Sequence, residues 1–280
     1  MRTLITGATG RVGSRYARHQ LDLHQQVRVL VRDEEQVDPW WNGGAEVVVG
    51  DLRDPGVAKQ AVNGVDAVVH LAAAFRGVPD DEAYAVNRDA AVALAHAGLD
   101  AGISRLVFAS TNLVYGAGCG RPAQEGDEPR PAGAYPESKA AAEAELLRLH
   151  REHGLPVRIA RLAFVYGDAD PRLAESLRWA RRWAPHRRLH LVHHADVAQA
   201  LDRIGTATGA DGQIFNVADD VPVTALELLR ANREEPDEGA AERALDDPWA
   251  GIVDTSRIRT ELGYRPLFPT LHAAHAAGAL

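Results

Sequence analysis

Thr6-Gly7-Ala8-Thr9-Gly10-Arg11-Val12-Gly13 decides the reading of this chain. The apolar run Thr3–Thr6 before it predicts a short strand, and Val12–Leu23 after it predicts a helix. Three glycines between a strand and a helix have separate uses. Gly7 permits a tight turn, Gly10 lets backbone approach a pyrophosphate, and Gly13 lets helix and strand pack closely. The helix that opens through Arg11 and Val12 then presents unpaired N–H groups and a favourable dipole to phosphate oxygens. A glycine triplet alone is a weak signal, but its strand–loop–helix context points to a dinucleotide site.

The pattern continues outward. Val27–Val31, Glu46–Val49, Ala67–His70, Arg105–Ala109 and Pro156–Ala160 read as further strands, separated by helical stretches at Pro55–Val62, Asp81–Ala101 and Ser138–His153. Strands rich in Val, Leu and Ile with little polar alternation imply burial on both faces. Their alternation with helices implies a parallel sheet with right-handed crossovers. The expected fold is α/β: a Rossmann-type doubly wound parallel sheet with a small C-terminal substrate-binding lobe. Residues 1–160 form the dinucleotide-binding domain. Residues 161–280 form mainly the lobe, with some segments returning to the Rossmann core. In the second part Asp168–Ala184, Asp196–Ile204 and Ser256–Leu262 read as helices and Gln213–Val217 as a strand. The acidic 236–247 stretch, rich in Ala and Gly, reads as a mobile loop.

The chain has 280 residues, 46% hydrophobic and 25% charged, with a net charge of -8. That balance fits a globular protein and provides no general positive field for nucleic acid or an anionic membrane. No stretch approaches the roughly 20 apolar residues of a membrane span. Cys119 is the only cysteine, which excludes an intrachain disulfide, and no leader is visible before the first strand; a reducing, cytoplasmic location is the expectation. His193 and His194 lack a third ligand at suitable spacing, so no metal is expected.

At the end of the second strand Arg32 precedes Asp33, about 20 residues beyond the glycine loop, where the adenosine ribose sits. An arginine there favours a 2′-phosphate, so NADP(H) is favoured over NAD(H). Asp51 and Leu52 end the third strand, where a carboxylate can accept from the adenine amino group and Leu52 can pack on the ring.

Tyr135-Pro136-Glu137-Ser138-Lys139 supplies candidate chemistry. Residues four apart share a helix face, so Tyr135 and Lys139 can address one cleft. A tyrosine titrates near 10, and an adjacent ammonium lowers that value towards one useful for proton exchange. Lys59 and Lys139 are the only lysines in an arginine-rich chain, which makes the second conspicuous. Ser110 and Thr111 end the fifth strand and offer a hydroxyl for the reacting oxygen.

Together these residues resemble the extended short-chain dehydrogenase/reductases, the nucleotide-sugar epimerase/dehydratase group. The resemblance runs through His70-Leu71-Ala72-Ala73, Asn87, Val114-Tyr115-Gly116, Arg161 with Val165-Tyr166-Gly167, His193 with Asp196-Val197-Ala198, Phe215-Asn216-Val217 and Glu261-Leu262-Gly263-Tyr264. It implies Thr111, Tyr135 and Lys139 as the catalytic triad, with Thr111 rather than Ser110 in the family's serine position. It implies that Leu71, Ala72, Ala73 and Leu162 line the cofactor, and that the protein is a homodimer through the helices at Asp81–Ala101 and Ser138–His153.

Three departures bear on the substrate. Asn112-Leu113 stands where the family's sugar 4,6-dehydratases carry Asp-Glu, which argues against water elimination. Phe164 replaces an asparagine that binds a diphosphate in many nucleotide-sugar enzymes. The Gly167–His193 segment is short, and with Thr111-Asn112 it resembles uronate dehydrogenases. Asn112, Phe164 and Arg172 are therefore the expected substrate contacts beside Thr111. Arg172 is the anionic anchor among several arginines at 172–188 that otherwise read as a solvated helix face, since a planar guanidinium suits a carboxylate. The expected activity is hydride transfer between nicotinamide and a carbonyl or carbinol carbon of a small sugar-like or cyclic substrate. Its rivals are a nucleotide-sugar epimerase and a non-catalytic dinucleotide sensor; an intact triad argues against the latter.

Overall fold

The computed structural model describes residues 1–75, 77–245 and 247–280. The strands are β1 (Arg2–Thr6), β2 (Gln26–Val31), β3 (Glu46–Val49), β4 (Ala67–His70), β5 (Arg105–Thr111), β6 (Val157–Leu162), β7 (Phe164–Tyr166), β8 (Arg188–Leu189), β9 (Leu191–His193), β10 (Ile214–Val217) and β11 (Val223–Thr224). The α-helices are α1 (Arg11–Asp22), α2 (Asp38–Trp41), α3 (Pro55–Val62), α4 (Asp80–Tyr84), α5 (Ala90–Ala101), α6 (Ala134–His153), α7 (Arg172–Ala180), α8 (His194–Thr206), α9 (Ala225–Ala231), α10 (Ser256–Leu262) and α11 (Leu271–Ala276).

Seven strands form one sheet in the order β10-β6-β5-β4-β1-β2-β3, and every pairing in it is parallel. The order reverses between β1 and β4. Such a switch point opens a crevice at the carboxyl ends of the strands, where doubly wound sheets bind ligands. Neighbouring residues of one strand enter different cores: Leu4 packs with α3, α5 and α6, and Ile5 with α1 and α8. Burial on both faces explains the near-continuous apolar strands. β10, from the second half of the chain, pairs with β6 in the same sheet.

A third cluster, including Tyr166, Leu173, Leu228 and Leu271, forms the core of the lobe. Its two-stranded pairs, β7 with β9 and β8 with β11, are two or three residues long. Such pieces are too short to show a period in sequence.

Several boundaries differ from the sequence expectations for physical reasons. The helix expected over Asp81–Ala101 contains a π-turn at Ala85–Asp89. The helix expected from Ser138 begins at Ala134, because Pro136 falls in its first turn, where its missing N–H costs nothing. The helix expected over Asp168–Ala184 spans only Arg172–Ala180. Asp168 and Ala169 both adopt left-handed backbone, with φ of 54° and 56°, and Pro185 disfavours helix at the residue before it. The 236–247 stretch carries a 3₁₀ turn at Ala240–Glu242; residue 246, within it, lies outside the described residues. Among the described residues no helix is long and apolar enough to cross a membrane.

Candidate active site

The glycine loop forms a cradle with no room for side chains. Gly7 has φ of +74°, and a Cβ there would lie 2.6 Å from the backbone nitrogen of Ala72. A Cβ on Gly13 would lie 2.1 Å from the Gly7 carbonyl oxygen. These approaches bring α1 and the β4 exit against the loop, and α1 starts at Gly10 without a side-chain cap. Both features suit a dinucleotide diphosphate on the helix N-terminus. Gly10 contributes backbone: its N–H donates to the Gly7 carbonyl at 2.9 Å. Thr6 ties the two strands together, with Oγ1 2.7 Å from His70 Nδ1 and accepting from Ala72 N–H at 3.3 Å. Leu71 and Ala72 are half-buried at this exit, Ala73 is exposed, and Leu162 is buried at the end of β6.

Arg32 and Asp33, just past the end of β2, are exposed, as is Arg11 at the start of α1. Asp51 forms a forked ion pair with Arg53, with Oδ2 2.6 Å from Nη2, which holds its carboxyl below the usual range. Leu52 is buried beside it.

α6 and β5 supply the chemical groups. Lys139 is buried, and its Nζ donates to the Ala109 carbonyl at 2.9 Å and lies 4.6 Å from the centroid of the Phe108 ring. Burial pushes the ammonium down to about 7, against the pull of Glu143 one turn further along. His70 is pushed down to about 3 by burial and by the Lys139 charge, so it stays neutral. Tyr135, one turn before Lys139, meets Phe75 edge-on with centroids 4.7 Å apart.

The start of α6 is pinned from below. Ser138 Oγ donates to the Tyr135 carbonyl at 2.9 Å and accepts from Asn87 Nδ2 at 2.9 Å. Asn87 also brackets Ala74, bonding its N–H and its carbonyl. Asn87 lies inside the π-turn, and such turns concentrate at functional sites.

The two hydroxyls ending β5 differ. Thr111 Oγ1 accepts from Leu113 N–H at 3.2 Å and caps the following turn. Ser110 Oγ is buried with no hydrogen-bond partner among the described residues. Asn112 Nδ2 donates to the Gly251 carbonyl at 2.8 Å, which fastens the strand end to the lobe.

On the lobe side, the Arg172 guanidinium lies 4.0 Å from the centroid of Phe75 and 5.6 Å from that of Phe164. Tyr135, Phe75, Arg172 and Phe164 thus make a continuous series of contacts. Phe75 had no signal in the sequence, because it follows the strand exit in a loop without a motif. Asp170 fell inside the expected Asp168–Ala184 helix; in the structure it precedes α7 and ties it to α1 and α8. His193 accepts from Ala195 N–H through Nδ1 and reaches the Ala279 carbonyl through Nε2 at 2.7 Å. Among the described residues no three His, Cys, Asp or Glu side chains stand close enough to hold a metal ion.

Below the site, buried Arg161 pairs with buried Glu143, with Nη2 2.6 Å from Oε2. It also lies over the Tyr115 ring. The Tyr115 hydroxyl donates to Asn216 Oδ1 at 2.7 Å, which links β10 to the same network.

The relatives agree with this architecture. A ketoreductase of Stigmatella aurantiaca, named for 4-hydroxy-2-methyl-3-oxo-4-farnesyl-3,4-dihydroquinoline-1-oxide, is 27% identical across 100% of this chain and 80% of its own length. The L-arabinose 1-dehydrogenase (NAD(P)(+)) of Haloferax volcanii is 29% identical over 95% of this chain and 96% of its own. The solved structure of the dTDP-glucose 4,6-dehydratase DesIV from Streptomyces venezuelae, with NAD bound, superposes with a TM-score of 0.80 at 26% identity, covering 99% and 95% of the two chains. The NAD-dependent epimerase/dehydratase family matches residues 3–218. With its parallel sheet and glycine cradle, this chain is an enzyme that belongs to that family.

Proposed function

We propose that the protein is a nicotinamide-dependent dehydrogenase or reductase acting on a carbonyl or carbinol carbon of a compact ring-shaped or sugar-like substrate that carries an anionic group. The observation that carries this reading is the Arg172 guanidinium packed on Phe75, whose ring touches Tyr135. A cation and two aromatic rings thus stand one side chain away from Tyr135, the proton carrier of this reading. A planar guanidinium suits a carboxylate, and the Phe75 and Phe164 rings flank it. Phe164 offers no amide to a diphosphate, and a polar group pressed on that ring loses hydrogen bonds to water without replacement. Two relatives bear the names of a ketoreductase and a sugar 1-dehydrogenase, which is in keeping with this reading.

A dinucleotide held through its diphosphate at the glycine cradle would supply or take up hydride at its nicotinamide ring. The side chains handle the proton. Tyr135 gives it to, or takes it from, the substrate oxygen, and Thr111 holds that oxygen. Lys139, fixed by the Ala109 carbonyl, stabilises the phenolate and stands ready to hold the nicotinamide ribose. The Asn87–Ser138–Tyr135 carbonyl chain keeps the start of α6 in place. Arg32, exposed at the end of β2, favours a 2′-phosphate, so NADP(H) is the proposed cofactor.

A substrate screen followed at 340 nm tests the reading. Net absorbance change with a small acidic sugar or cyclic ketone is expected. Conversion of a nucleotide sugar without net change, or calorimetric binding of UDP, TDP or GDP in the low micromolar range, about -8 kcal/mol, would overturn it in favour of an epimerase.

A further inference from the structure

Arg11, the first residue of α1, extends across to the lobe. Its Nη1 lies 2.9 Å from Asp170 Oδ1 and 3.1 Å from Glu175 Oε2, and its Nη2 lies 2.9 Å from Glu175 Oε1. One turn along α1, Arg15 Nε meets Asp168 Oδ2 at 2.9 Å. The first two turns of the glycine-loop helix are therefore charge-paired with the segment that opens α7.

Asp170 is buried and shares its oxygens among three donors. Oδ1 takes Arg11 and the backbone N–H of Arg172 at 2.9 Å, and Oδ2 takes His194 Nε2 at 2.9 Å. Burial opposes its ionisation, but the His194 and Arg172 hydrogen bonds and the Arg11 charge hold its carboxyl below the usual range. Glu175 is held low chiefly by Arg11 and lies within electrostatic reach of Asp170 and Arg172. Two carboxylates thus face the first residue of the helix that follows the glycine cradle, and Arg11 is the cation bonded to both.

We propose that Arg11 is a positioning residue: it supports dinucleotide binding by neutralising Asp170 and Glu175 and docking α7 on α1, rather than by gripping the diphosphate. Without it, both carboxylates repel the diphosphate. Glu175 is then also released to compete for Arg172. Dinucleotide affinity and the placement of Arg172 therefore depend on the same ion pairs.

The test is calorimetric titration of the full chain with NADPH, and again with NADH, for wild type, Arg11→Met, Arg11→Lys, Glu175→Gln and the Arg11→Met/Glu175→Gln double variant. Melting curves for each establish that it is folded. Arg11→Met is expected to weaken binding of both nucleotides by roughly tenfold or more. Arg11→Lys should retain most of the affinity, and Glu175→Gln should bind at least as tightly as wild type. The double variant should recover most of the loss, which a direct phosphate contact or a general loss of structure would not permit. Additive losses in the double variant, or unchanged affinity in Arg11→Met, overturn the proposal. Should Arg11→Met fail to fold, the Arg11→Lys and Glu175→Gln pair decides: a large loss in the first or a loss in the second overturns it. The Arg172 reading is separate, because it stands or falls on the substrate screen and not on these titrations.

Discussion

The Lys139 ammonium donates to the Ala109 carbonyl across 2.9 Å, joining α6 to β5 where the strand releases its two hydroxyl residues. The cation is preorganised by protein alone, in a place where burial disfavours its charge. A desolvated ammonium next to a tyrosine is costly for stability and valuable for stabilising a phenolate, so the two should separate experimentally.

Lys139→Met keeps an apolar stem and removes the charge. Turnover is expected to fall by roughly two to four orders of magnitude, while calorimetric stability at neutral pH holds or rises. The sign with pH follows from the lowered value: between about 7 and the unfolded value near 10.5 the unfolded chain binds the extra proton, so this group adds stability as pH rises. The difference between the wild-type and variant melting curves from pH 7 to 10 should show that rise. Normal turnover in Lys139→Met would remove the lysine from the mechanism.

Tyr135→Phe keeps the ring that packs against Phe75 and loses only the hydroxyl. Turnover should fall by about two to four orders of magnitude, with nucleotide affinity within about twofold by titration, since a small affinity change is only a few tenths of a kcal/mol. Loss of affinity in step with turnover would show that the hydroxyl serves binding instead.

The central sheet was legible because its inner strands are buried on both faces and its edge strand β3 still carries a run of valines; Glu46–Val49, Ala67–His70 and Pro55–Val62 lie at their expected bounds. The glycine cradle was legible because only glycine tolerates the approaches at Gly7 and Gly13. The lobe was less so. β7, β8, β9 and β11 are too short for a pattern, and their pairings are set by tertiary contacts. The resemblance marked Asn87, but the π-turn that carries it gives no signal in a single sequence. Phe75 and the Arg11–Asp170 pair depend on residues far apart in sequence, and no local spacing encodes such meetings.

Arg32 is exposed at the end of β2, close enough to Asp51 for its charge to act on that carboxyl. Wild type should bind NADPH more tightly than NADH, and Arg32→Ala should weaken NADPH selectively. A charge-assisted contact to phosphate is worth roughly 1.5–3 kcal/mol, or about 10- to 150-fold in affinity. Parallel titrations with both nucleotides check this; equal losses, or a wild-type preference for NADH, would assign the choice to Asp33 or another group.

Asp219 follows β10 and is buried, and among the described residues no side chain hydrogen-bonds its carboxylate oxygens. Burial, reinforced by the charges of Asp220 and Asp196, pushes its carboxyl up to about 8, against the Val221 backbone N–H and the pull of Arg259. The folded protein therefore keeps a proton that the unfolded chain releases near 3.9, and stability falls as pH rises towards 8. His190, with Nε2 3.6 Å from Asp219 Oδ1, works in the opposite sense. Its value is pushed down to about 4 by burial, so it adds stability as pH rises from about 4 to 6.5 and is spent above that. The window from pH 6.5 to 8 isolates the carboxylate when wild type is compared with Asp219→Asn, which stays neutral throughout. The variant's advantage should grow by about 2 kcal/mol across that window, at about 1.4 kcal/mol per pH unit. In melting temperature that is a widening gap of several degrees, at about 2–4 °C per kcal/mol. Parallel melting curves, or a variant uniformly less stable at every pH, would show that Asp219 is ionised in the folded protein and held by a partner.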